Sequence, residues 1–215
     1  MMNSFSQELR ILVGIVIKCQ VGVAICVTLL ACSGDVLKSG GENEIVHIPL
    51  ESGSTWSYAR FDSLAVVEDT VIVNVLEQVI SIHGDIGIDI EIIDTLVSKL
   101  LAVTVNDTLF FVNDLEPPNT VYVRFVLPLK VGNSWLGSNP LDSMWVAGRE
   151  TVEVPAGVFH NAFRVEQQFW FFNQSNQTTY WIAPGVGIVK RNVHNFGFSE
   201  NKIETWNLLS YSIPE

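Results

Sequence analysis

From Ile45 to the end of the chain, apolar and polar positions alternate with a period of two. In Ile86-Gly87-Ile88-Asp89-Ile90-Glu91-Ile92 the isoleucines fall on one face, with Asp89 and Glu91 on the other. Val71–Leu76 and Glu150–Val154 are short, β-branched runs of the same kind. Successive strand side chains point to opposite faces, so this pattern predicts half-buried antiparallel strands. The best candidate for a helix in this region is Glu91–Leu101.

Turn formers punctuate the runs at His83-Gly84-Asp85, Asn106-Asp107, Glu116–Asn119, Pro155-Ala156-Gly157, Asn173–Asn176 and Pro184-Gly185. Proline presets φ, and Gly or Asn tolerates positive φ. Short strands this closely spaced, without intervening helices, predict a meander. The expected fold is all-β: a single antiparallel curved sheet or half-barrel, with a β-sandwich as the alternative.

One segment occurs twice. Pro49-Leu50-Glu51-Ser52-Gly53-Ser54-Thr55-Trp56 matches Pro128-Leu129-Lys130-Val131-Gly132-Asn133-Ser134-Trp135 in the pattern Pro-Leu-x-x-Gly-x-Ser/Thr-Trp. Each copy reads as a turn leading into a strand, with glycine at the strained position and tryptophan packing inward. The domain is therefore expected to hold two related halves, about 46–124 and 125–212, that share one core.

The N-terminal region breaks the period. Ile11–Ile17 is apolar, Lys18 and Gln20 interrupt, and Val21–Ala31 is a continuous apolar run after Arg10 and Lys18. A charged start, a short apolar stretch and a small-residue boundary make an export signal. A membrane-spanning helix over 11–31 is the competing reading, but Lys18 near its middle costs about 2.5–3.5 kcal/mol on insertion. The run ends Leu29-Leu30-Ala31-Cys32, which resembles the bacterial lipobox. That resemblance implies cleavage between Ala31 and Cys32 and lipid attachment to the Cys32 thiol. Residues 1–31 are then a lipoprotein signal peptide, 32–45 a polar, glycine-rich tether and 46–215 the β domain. Ser33 after the cysteine resembles the pattern that permits transport to an outer membrane, which favours that membrane over the inner one.

Composition narrows the function classes. Of 215 residues, 48% are hydrophobic and 16% charged, and the formal net charge is −11. Loss of residues 1–31 removes two of the 12 basic and one of the 23 acidic residues, leaving −12. A field of that sign repels phosphate backbones, so no nucleic-acid partner is expected. Anionic head groups are repelled as well, and membrane attachment must come through the Cys32 lipid. All three cysteines, Cys19, Cys26 and Cys32, lie in the first 32 residues, which excludes an internal disulfide or thiolate metal site in the β domain.

Catalytic chemistry finds little support. Ser52-Gly53-Ser54 lies in a turn without a G-x-S-x-G elbow, and the Ser54 and Thr55 hydroxyls are expected to satisfy turn amides. His47, His83, His160 and His194 lack ligand spacing. Asp85, Asp89 and Glu91 share parity, a row that more often faces solvent than binds Ca²⁺. No metal and no cofactor are expected, and the chain reads as non-enzymatic. The densest aromatic patch is Phe169-Trp170-Phe171-Phe172, a candidate ligand or partner surface.

Three segments together carry a family resemblance: Pro128–Trp135, Val154-Pro155-Ala156-Gly157-Val158-Phe159, and Ala183-Pro184-Gly185-Val186-Gly187-Ile188-Val189-Lys190. They resemble a loose group of bacterial lipoproteins and secreted β proteins with "vPAGtF" and "aPGvGlVk" turns. That group is similar, at fold level, to the half-barrels of lipoprotein-localisation carriers, which hold acyl chains in an apolar concavity. The resemblance implies an envelope lipoprotein that binds an apolar ligand or an envelope protein partner. A structural or glycan-binding surface module is the second reading, and a hydrolase with an unrecognised site the third.

Overall fold

The structure, a computed structural model, describes residues 48–63, 67–80, 86–94, 97–113, 120–138, 140–171, 174–197 and 201–214. Cys32, Ala31, the expected tether and the expected export signal lie outside them. Gly41–Glu215 forms a compact unit by itself. No helix among the described residues is long and apolar enough to cross a membrane.

The fold is all-β. The strands are β1 (Thr55–Asp62), β2 (Val67–Ile80), β3 (Ile86–Ile93), β4 (Val97–Val105), β5 (Thr108–Asn113) and β6 (Thr120–Val126). They continue with β7 (Ser134–Leu136), β8 (Asp142–Val154), β9 (Gly157–Phe171), β10 (Gln174–Ala183), β11 (Gly187–Phe196) and β12 (Asn201–Ser212). All twelve belong to one antiparallel sheet in the order β6-β5-β4-β3-β2-β1-β12-β11-β10-β9-β8-β7. Each half of the chain is a six-stranded meander. The halves join where β1 pairs with β12, from Thr55↔Ser212 to Asp62↔Glu204.

The sheet curls further than a half-barrel, into a nearly closed barrel. Its end strands, β6 and β7, meet through side chains. Trp135 Nε1 donates to the Arg124 carbonyl at 3.0 Å, and Arg124 Nε donates to the Leu136 carbonyl at 2.5 Å. One core fills the inside, with Val71, Ile90 and Phe125 from the first half packed with Phe163, Ile182 and Leu208 from the second. On β3 the isoleucines at 88, 90 and 92 face this core.

The duplicated segment folds the same way twice. Gly53 has φ +91° and Gly132 φ +88°, a left-handed conformation that glycine adopts without a Cβ clash. Ser54 N bonds Glu51 O at 3.0 Å, and Asn133 N bonds Lys130 O at 3.0 Å. Gly53 N and Ser54 O clasp Val75 at 2.9 Å each, as Gly132 N and Asn133 O clasp Val146. The copies thus tie β1 to β2 and β7 to β8 by equivalent bonds. The division between halves lies after β6, a little later than residue 124, because Arg124 and Phe125 still belong to that strand.

Other expectations need correction. Glu91–Leu101 is no helix. Glu91–Ile93 ends β3 and Val97–Leu101 begins β4, because the β-branched positions pair in the ladder Ile88↔Ala102 to Ile93↔Val97. Gln174–Asn176 is already strand, so the turn expected at Asn173–Asn176 is shorter. The turns at 83–85 and 116–119 lie outside the described residues. Gly157, Gly185 and Gly187 have φ of +137°, +70° and +95°, and Pro155 and Pro184 precede them in the turns joining β8 to β9 and β10 to β11.

Candidate functional site

The two ends of the barrel differ. Near the start of β1 and the end of β12 lie fully buried side chains, among them Leu129, Val189 and Leu208. Between Ile48, Pro49 and Trp56 and the strand ends at Val97, Phe169 and Asn176, the facing side chains do not fill the bore. They leave a cavity of about 850 Å³, open to solvent. That volume lies within the roughly 300–1,000 Å³ of small-molecule sites.

The first half of the chain supplies most of the apolar wall, including Trp56, Val73, Ile90, Leu100, Phe111 and Val123. The second half supplies most of the polar wall, with Asp142, Gln167, Asn176, Thr178, Tyr180 and Arg191. The polar groups bond among themselves. Asp142 Oδ2 accepts from Ser138 N at 2.8 Å, Ser138 Oγ at 3.0 Å and Gln167 Nε2 at 2.8 Å. Tyr180 donates to Gln167 Oε1 at 3.1 Å, and Thr178 donates to Asn176 Oδ1 at 3.0 Å. Asn176 Nδ2 donates in turn to Asn195 Oδ1.

Ion pairs gather near the end of β1. Arg60 binds Asp69 through two bonds, at 2.9 and 2.5 Å, and reaches Asp94 at 2.9 Å. These bonds raise the Arg60 pKa above its ordinary value against a smaller opposing effect of burial. Lys202 pairs with Asp62 at 2.5 Å, and Arg191 with Glu204 at 3.6 Å. Arg191 also lies over Trp206, 5.0 Å from its centroid.

Two buried phenols sit in the bore. Tyr58 donates to the Ile188 carbonyl at 2.8 Å, and burial pushes its pKa well above the ordinary 10.0. Burial also raises Tyr180, with Arg191 acting in the opposite direction. A raised tyrosine pKa means that folding disfavours the phenolate. The stability this lends is intact below the unfolded value of 10.0 and is lost as pH rises through the folded value. Unfolding free energy should therefore fall as pH rises above 10.0, by up to about 1.4 kcal/mol per pH unit for each phenol. Tyr58→Phe should remove part of the slope, as urea midpoints across the alkaline range would reveal. An unchanged slope would mean Tyr58 ionises freely in the folded barrel.

Sequence-derived candidates are scattered relative to this cavity. Phe169 lines it. Trp170 points away and is 57% exposed. Phe171 ends β9, and Phe172 lies outside the described residues. Asp89 and Glu91 stand on the β3 face opposite the core isoleucines, where Glu91 accepts a bond from Asn74 at 3.4 Å. Asp85 and His83 lie outside the described residues, among which no cluster of His, Cys, Asp and Glu suits a metal ion. His160 contacts Thr151, and His194 packs against Phe196. Ser54 departs from expectation. It is buried and its Oγ makes no hydrogen bond, while Thr55 Oγ1 donates to Asn74 rather than to a turn amide.

Asp142, Gln167, Thr178 and Arg191 were missed. Their signal is parity: Asp142 falls in step with the buried Met144 and Val146, and Gln167 with Phe163 and Val165. A polar residue at an inward strand position marks a lined cavity.

No family model matches the chain, and no curated protein matches it. Two solved structures give a TM-score of 0.44. One is a "putative lipoprotein" from Parabacteroides distasonis, 12% identical, with 79% of this chain and 100% of that one covered. The other is a "putative exported protein with YmcC-like fold" from Bacteroides fragilis, 13% identical, with 78% and 99% covered.

Proposed function

We propose that this chain is a cell-envelope lipoprotein, anchored by lipid on Cys32, whose barrel binds an apolar ligand without catalysis. The observation that carries this reading is the solvent-open cavity of about 850 Å³ with one wall of aliphatic and aromatic side chains. Each methylene of a chain moved from water into such a bore is worth about 0.8 kcal/mol. The anchor places the protein beside a membrane, favouring an outer one, where apolar chains are abundant. The acidic exterior limits adsorption to anionic surfaces.

A surface module for a glycan or an envelope protein is the second reading, and the exposed Trp170 favours it. One experiment separates the two. Residues 33–215, purified without detergent, are weighed by native mass spectrometry and extracted with solvent. A stoichiometric lipid is the expected result. An empty protein that also refuses added fatty acids and phospholipids would exclude the apolar-ligand reading and turn attention to Trp170.

A further inference from the structure

We propose that the polar wall of the cavity is a head-group site, fitted to an amphiphile whose apolar chain ends in a neutral hydroxyl-bearing head. This deepens the apolar-ligand reading and rests on it. Asp142 is the centre of the site. It lines the cavity and is 2% exposed. Its Oδ2 accepts three hydrogen bonds, while Oδ1 is buried and accepts none. A buried polar atom without a partner costs free energy, and folds retain few of them. Gly137 seats the carboxyl group: a Cβ there would meet the Asp142 carboxyl carbon and Oδ2 at 2.1 Å.

Several side chains of this wall already donate to one another, and Arg191 pairs with Glu204 at 3.6 Å. Ser138 and Gln167 donate to Asp142, Tyr180 to Gln167, Thr178 to Asn176, and Asn176 to Asn195. The buried side-chain atom of this wall without a partner is an acceptor, Asp142 Oδ1. A matching head must donate a hydrogen bond. Arg191 lines the same cavity and disfavours an ammonium group, while the Asp142 carboxylate disfavours a second carboxylate. A hydroxyl head satisfies both conditions.

The test uses three probes with one tail: 1-monomyristoylglycerol, its di-O-methyl ether and methyl myristate. Each is titrated into residues 33–215, the compact unit with its tether, and followed by tryptophan fluorescence, since Trp56 and Trp206 line the cavity. The glycerol ester should bind at least about tenfold more tightly than either probe without donors. Asp142→Asn retains an oxygen for the three donors and presents an amide N–H where Oδ1 was. In that variant the preference should fall to parity or reverse. Equal affinities for all three probes in the unaltered protein would overturn the head-group site and leave the apolar cavity standing, whether or not the variant folds. Undiminished preference in Asp142→Asn would remove Asp142 from the site. Failure to bind any probe would overturn both readings.

Discussion

Replacing Trp56 by alanine should lower the stability of the barrel by about 3–5 kcal/mol, while Trp135→Ala should cost less, about 1–3 kcal/mol. The two residues occupy equivalent places in the duplicated segment, so the difference isolates tertiary context. Trp56 is 5% exposed and packs in the main core, and its Nε1 donates to the Val186 carbonyl at 2.7 Å. It stands on β1, which is hydrogen-bonded on both sides, to β2 and to β12. Removing it empties buried volume that a rigid sheet cannot refill. Trp135 is half-buried on β7, a three-residue strand paired only with β8 among the described strands. Its loss removes a packing partner and its bond to Arg124 at the β6–β7 closure. Denaturant midpoints of both variants give the comparison. Equal losses would mean that the closure is as strong as the β1–β12 ladder.

Cys32→Ala should abolish incorporation of labelled palmitate. The expected effect is complete, because the thiol is the sole attachment point for the lipid in the lipobox reading. Two or more acyl chains on one residue hold a protein on a membrane, where a single chain gives only marginal binding. In the lipobox reading Cys19 and Cys26 lie upstream of the cleavage point, outside the mature chain. If the 11–31 segment were an uncleaved helix, the unaltered chain itself would stay unlabelled. Persistent labelling would sink the Cys32 assignment itself.

Much of the local structure was legible along the chain. The period-two runs identify strands because side-chain direction alternates with each residue, whatever the neighbouring strand does. Glycine at 53 and 132 identifies the turns because a left-handed φ is a single-residue constraint. The duplication announced two meanders for the same reason: each rests on bonds closed within its own half. The Glu91–Leu101 stretch misled because isoleucine and leucine suit helix and strand alike when a turn separates them, and pairing with β2 and β5 decides the outcome.

The site belongs to the tertiary level. That β1 pairs with β12, across nearly the whole described chain, depends on curvature and register, which no short window contains. The cavity is the space left where facing walls do not meet, a property of distance between strands remote in sequence. Asp142 and Arg191 are polar residues at inward parity, visible one by one. Their gathering on one wall, opposite an apolar wall from the other half, exists only once the sheet has curled. Sequence alone therefore determined the strands, their faces, the repeat and the expected anchor, all of which depend on residues close together in the chain. Tertiary structure decided closure, cavity and the unpartnered carboxylate oxygen, because each arises from side chains that only the folded sheet brings within reach.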